Sequence, residues 1–212
     1  MTFSSCLTEE DRQLVLDASV VINLLATGAP APILHALGIP VLVTDNVVQE
    51  VSRDDNNGRP KLALPGELIA DGTVCVARLE GSSREIFAEL VSGSTVETLG
   101  DGEAATLAFA QAAGASAAID ERKATRIAGS RFRSLRLATT IDILAHHAVL
   151  SALGKDGLAQ ATFQALRVAR MQVREHQFEW VANLIGNENV AACSSLRRLA
   201  AHHALQREKL MN

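Results

Sequence analysis

Apolar residues in the first two-thirds of the chain fall into short runs separated by stretches with helical spacing. Residues 13–16 read QLVL and end at Asp17, which predicts a short buried strand. A helix follows, with Ser19 placed to cap it and Val20, Leu24 and Leu25 on its apolar side. Gly28, Pro30 and Pro32 interrupt the pattern, and 33–37 reads as a short helical piece. A second strand, VLVT (41–44), leads into a helix that starts at Asp45 and carries Val47, Val48, Glu50 and Val51. RDDNNGRPK (53–61) reads as a polar loop and 73–77 as a third strand. Ser82 and Glu85 have capping-box spacing for a helix to about Val91. Asp101 is placed to cap an Ala-rich helix (102–113) that Gly114 ends. A fourth strand (116–119) runs into Asp120, followed by a basic helix (121–128), a fifth strand (135–138) and a helix from about 140 to 153.

Strand and helix alternating in this way predict a three-layer α/β/α sandwich around a mostly parallel sheet. Residues 154–212 carry no strand signal. They predict helices at 157–170, about 175–185 and 190–210. The expected organisation is an α/β domain over 12–153 and a helical C-terminal extension over 154–212, packed on that domain or on a partner subunit.

Composition narrows the functional classes. With 212 residues the chain has the length of one domain. Aromatics are 3%, with no Tyr and only Trp180 as tryptophan, which argues against base stacking as the main binding device. The net charge of −4 hides a split. Residues 1–110 hold 6 Lys/Arg against 16 Asp/Glu, whereas 111–212 hold 14 against 8. Cys6, Cys75 and Cys193 show neither disulfide nor zinc-ligand spacing. No signal-peptide pattern opens the chain, and no apolar run approaches a membrane span. A reduced, cytoplasmic setting without membrane association is the expectation.

Candidate chemistry lies where the predicted strands end. In an open α/β sheet, ligands bind beyond the carboxyl ends of the strands. Asp17 follows strand one and Asp120 follows strand four. Glu50 lies in the helix after strand two, and Glu103 in the first turn of the helix leading to strand four. Four carboxylates sharing a low-dielectric pocket need cations or protons. An all-oxygen set without His or Cys suits Mg²⁺ or Mn²⁺ and disfavours zinc. Such a metal activates water and stabilises charge on a phosphate, so phosphodiester hydrolysis is the natural chemistry.

These blocks carry a family resemblance. LVLDASVVINLL (14–25) resembles the opening motif of PIN-domain ribonucleases, a strand followed by D-x-S-x-x-I. VLVT with DNVVQEV resembles the second block, its acid at Glu50. LGDGEAATLAFAQAAGASAAIDERKATRIA (99–128) resembles a VapC-like subgroup in which G-E-A opens an Ala-rich helix and D-[DE]-R-x-A-R follows strand four. LRLATTIDIL (135–144) resembles that subgroup's last strand and Thr-started helix.

The resemblance implies Mg²⁺- or Mn²⁺-dependent cleavage of RNA. It places Asp17, Glu50, Glu103 and Asp120 as catalytic metal ligands, with Ser19 and Asn23 at the polar positions near the first acid. Many members of the family are toxins held inactive by a small cognate antitoxin, and many are homodimers, so an antitoxin and a second copy are expected partners beside the RNA substrate. Glu121 competes with Asp120 for the fourth position. Asp142 stands where the subgroup commonly has Gly, as an extra supporting acid or a local variation.

Each position also has a plainer reading. Asp17 and Asp120 suit helix caps after strands, Glu50 a solvated surface charge, and Glu103 the positive end of its helix. The basic run containing Arg122, Lys123, Arg126, Arg131 and Arg133, with Arg136 nearby, is either a solvated face or a rim that contacts RNA phosphates. Arg122, Lys123 and Arg126 are the expected RNA contacts. His146-His147 and His202-His203 point about 100° apart on a helix and are expected to be structural. A non-catalytic binding module is the alternative function. An Asp-nucleophile phosphatase would want D-x-D after strand one, where this chain has Asp17-Ala18-Ser19. A phospho-receiver domain would want a Lys near the last strand, and here the only one nearby is Lys123, before it.

Overall fold

The computed structural model describes residues 3–54, 65–92 and 98–211, so most of the polar loop expected at 53–61 lies outside the described residues. Five parallel strands form one sheet in the order β3-β2-β1-β4-β5. They are β1 (Leu14–Leu16), β2 (Val41–Thr44), β3 (Cys75–Ala77), β4 (Ser116–Ala118) and β5 (Leu137–Ala138). β1 is central, with Leu14, Val15 and Leu16 opposite Val41, Leu42 and Val43 on one side and Ser116, Ala117 and Ala118 on the other.

The period-two alternation of strand side chains divides the interior between the two faces of the sheet. Leu14, Leu16, Val41, Val43 and Ala118 join one apolar cluster, while Val15, Ala117 and Ile119 join the other. The first cluster is closed by α1 (Ala18–Ala26), α2 (Pro30–Ala36), α3 (Asp45–Asp54) and the later helices. α4 (Pro65–Ala70) adds Leu68 to it. The second is closed by α5 (Ser82–Val91), α6 (Asp101–Ala113) and α7 (Arg122–Arg131). This is the three-layer α/β/α sandwich expected from the sequence.

Several expected helix starts are corrected. α1 begins at Ala18, so its N-cap is Asp17, whose carboxylate accepts from the Ser19 amide; Ser19 lies inside the helix. α6 is capped from Gly100, with Asp101 as its first residue. α5 starts after Gly81 without a side-chain cap, and the Ser82–Glu85 box does not form; Ser83 Oγ instead accepts from the Glu80 amide at 2.8 Å. The prolines expected to interrupt the chain open α2, because Pro30 at its first position has no amide proton for the helix to lose.

The single helix expected over 140–153 is two. α8 (Thr140–Leu144) stops, His146 caps a new start, and α9 runs His147–Val168. α9 absorbs the helix expected at 157–170 and bends at Gly154, whose φ of 66° and ψ of 169° favour glycine.

α9 packs against α1, α2 and α10 (Phe178–Ile185). α11 (Asn187–Val190) and α12 (Arg197–Met211) complete the chain. The first cluster includes Leu158, Leu166, Val181, Val190, Cys193, Leu196 and Leu199, so it is continuous across residues 153 and 186. Among the described residues, no single helix is long and apolar enough to cross a membrane.

Candidate active site

Parallel pairing brings the ends of β1 and β4 together. The Asp17 amide donates to Ala118 O at 3.1 Å, which sets Asp17 beside the exit of β4. β5 extends the same edge, with Ile119 N donating to Ala138 O at 2.9 Å. From the other face, Thr106 of α6 donates its hydroxyl to Leu16 O at 3.4 Å, anchoring the helix that carries Glu103 at the same strand end.

Asp17 is 3% exposed. Its Oδ2 accepts from Ser19 Oγ at 2.7 Å, while its Oδ1 is buried with no hydrogen-bond partner. Burial pushes its carboxyl above the ordinary range; the Ser19 hydrogen bonds oppose this and the charge of Asp120 adds to it.

Asp120 is 7% exposed and fully engaged. Its Oδ1 accepts from the Thr140 amide at 2.9 Å, and its Oδ2 from Asn23 Nδ2 at 2.7 Å and Thr140 Oγ1 at 2.5 Å. Burial raises its proton affinity against the pull of these bonds and of the Arg174 charge.

Glu103 folds back to accept from the Gly100 amide at 3.2 Å. Its carboxyl is pushed up to about 7, first by burial and then by the nearby charges of Asp17, Glu121 and Glu50. Glu50 comes from α3, and its Oε2 lies 2.1 Å from where a Cβ on Gly102 would stand. Gly102 is therefore the residue that lets the Glu50 carboxylate lie against α6.

Glu121 and Asp142 serve as helix caps. Glu121 caps α7, its Oε2 accepting from the Ala124 amide at 2.7 Å, which leaves Asp120 free of capping duty. Its charge still reaches Glu103. Asp142 turns away to Thr139 Oγ1 at 2.6 Å, the Thr139 amide at 2.9 Å and the Cys6 amide at 3.2 Å.

Of the four acids, Glu50 and Asp120 line a cleft of about 570 Å³, whereas Asp17 and Glu103 are not among its lining residues. Ser19, Asn23, Glu50, Asp120, Glu121 and Arg122 line one side, and residues 169–172 close the other. Of the basic run, Arg122 alone is among the lining residues. Arg131 and Arg133 lie at the far end of α7, and Arg136 pairs with Asp11 at 3.2 Å at the strand starts. A helix crossing from one strand's end to the next strand's start carries the basic run away from the acids. The expected His pairs sit outside the cleft, His146 serving as a cap for α9.

Three contributors were not singled out from the sequence. Thr140 holds Asp120, Arg174 acts on it electrostatically, and Thr106 ties α6 to β1. The doublet Thr139-Thr140 after strand five was the only visible signal. Arg174 sits in the extended stretch between α9 and α10, whose approach to Asp120 is set by how the chain returns after α9.

A family model described as a PIN domain (DUF3368) matches residues 13–186. The chain belongs to the PIN-domain family. No curated protein matches it. PIN domains are generally nucleases and typically use divalent metals, so the acids can be tested against that requirement. The donor set is all carboxylate oxygen, and Asp17 Oδ1 is an orphaned buried acceptor. Three of the acids bind protons more tightly than usual, because burial penalises their charges, and at Asp17 and Glu103 nearby carboxylates add to the effect. A hard divalent cation relieves each of these costs, so the PIN site fits one. Among the described residues, no three Asp, Glu, His or Cys side chains close into a ligand cluster. Each acid is held instead by protein donors or kept apart by like charge.

Proposed function

We propose that this PIN domain is a divalent-metal-dependent endoribonuclease with Asp17, Glu50, Glu103 and Asp120 as its metal-holding acids. The observation that carries the reading is Asp17 Oδ1, a carboxylate oxygen buried without a partner beside Asp120 and Glu103. When bound, Mg²⁺ or Mn²⁺ supplies Lewis acidity toward an attacking water and the scissile phosphate.

The chain's own residues set the stage for this. Ser19 holds Asp17 by one oxygen and leaves the other available. Thr140 and Asn23 hold Asp120 in one orientation and oppose its protonation. Glu103 is held on the Gly100 amide among the charges of Asp17, Glu121 and Glu50, and a bound cation would offset the repulsion that raises its proton affinity. Arg122 at the cleft mouth contacts a backbone phosphate, with Lys123 and Arg126 along the same helix adding positive charge.

The proposal extends to the toxin of a toxin–antitoxin pair, with a cognate antitoxin and a homodimer as partners; the resemblance to VapC-like toxins supports that extension.

The test is cleavage of single-stranded RNA with Mg²⁺ or Mn²⁺, with chelator, and by Asp17→Asn. Wild type should cleave only with metal. Asp17→Asn should lose on the order of a hundredfold or more in rate while melting as wild type does. Undiminished cleavage by Asp17→Asn would remove the acids from catalysis. Absence of any metal-dependent cleavage by wild type would leave a non-catalytic binding module.

A further inference from the structure

A second concavity of about 510 Å³ adjoins the acid cleft, and Arg122 lines both. Its walls bring together Arg122 from α7, Arg174 and Glu175 from the segment before α10, and Arg198 and His202 from α12. Three arginines and one carboxylate thus line it, and that carboxylate is engaged by His202 Nδ1 at 3.0 Å.

Arg174 is pinned through Nη2 to Thr125 Oγ1 at 2.8 Å, while its Nε is buried without an acceptor. A partly dehydrated guanidinium short of acceptors is costly until an oxygen ligand arrives. Its charge also lowers the proton affinity of Asp120, so the positive pocket and the acid site lie close together. Arginine forks match phosphate oxygens in geometry and charge. Arg198 and His202 lie beyond residue 186, where the match to the family model ends.

We propose that Arg122, Arg174 and Arg198 form a phosphate-binding subsite that takes a backbone phosphate of a single-stranded RNA whose neighbouring stretch occupies the acid cleft. The subsite rests on the RNA reading of that cleft. It gives α12 a function, which is to complete the substrate groove. The shared Arg122 wall suits a strand whose phosphates recur at regular spacing, with one phosphate reaching the subsite while the next lies toward the cleft.

The experiment measures binding of a fluorescently labelled RNA single strand of about 12 nucleotides to the full-length protein in chelator, over a range of salt. Arg198 is exposed, so Arg198→Ala should melt as wild type does. It should bind about tenfold more weakly, with the slope of log affinity against log salt reduced by about 0.7. Arg198→Lys should restore the slope, and Arg122→Ala should behave like Arg198→Ala. Wild-type affinity and slope in Arg198→Ala would overturn the subsite, even if the protein cleaves RNA. Weakened binding by Arg198→Ala in a protein that never cleaves with metal would sustain the subsite and overturn catalysis. A wild-type protein that binds no RNA would overturn both.

Discussion

Glu103 shows how one residue can belong to both the fold and the site. It closes the first turn of α6 onto the Gly100 amide, and it is held among Asp17, Glu121 and Glu50. Its carboxyl sits at about 7 in the folded chain, against an ordinary value of 4.5. The metal-free folded protein therefore keeps a proton that the unfolded chain gives up. Stability falls as pH rises from about 4.5 to about 7 and stays low above that. The raised Asp17 and Asp120 carboxyls push in the same direction. Thermal melts in chelator should show a melting temperature declining across this window. Glu103→Gln should flatten part of the decline, and added Mn²⁺ should reverse it at the alkaline end. A Glu103→Gln slope equal to that of wild type would show that Glu103 ionises normally.

At the scale of elements, the site depends on how closely α3 and α6 approach. The Glu50 carboxylate occupies the space where any residue but glycine at 102 would place its Cβ. Alanine at 102 is a better helix former than glycine by about 1 kcal/mol, and the atom it meets is the end of a flexible side chain. Gly102→Ala should therefore stay within about 1 kcal/mol of wild-type stability in urea titrations. It should nevertheless displace Glu50 and weaken Mn²⁺ binding by about tenfold in calorimetry. Tight metal binding by Gly102→Ala would remove Glu50 from the ligand set. Caps are divided in the same economical way, since Glu121 caps α7 and leaves Asp120 to Asn23 and Thr140.

At the scale of the whole molecule, the C-terminal helices are part of the core that supports the site. Leu196 is 0% exposed and lies in the cluster that also contains Leu14, Leu16 and Val20 next to Asp17. Leu196→Ala should cost about 2–5 kcal/mol, read as a lower urea midpoint with one cooperative transition. Two separate transitions would show that the chain beyond residue 186 unfolds as its own unit.

The order of strands and helices, the parallel sheet and the placing of Asp17 and Asp120 directly after strands were legible in the sequence. Each follows from local periodicity and from residues next in line to a strand, such as Asp17 after LVL and Asp120 after SAAI. Helix starts were less legible, because Asp17, Ser19, Gly100 and Asp101 are all chemically able to cap and only backbone geometry selects among them. Three features were decided by tertiary structure alone: the Thr140 and Asn23 bonds to Asp120, the approach of Glu50 to Gly102, and the meeting of Arg122, Arg174 and Arg198. These join residues as many as 97 positions apart. Local spacing carries the direction in which a side chain leaves its own element. Which distant group it meets depends on how the sheet and helices pack, and no short stretch of sequence contains that information.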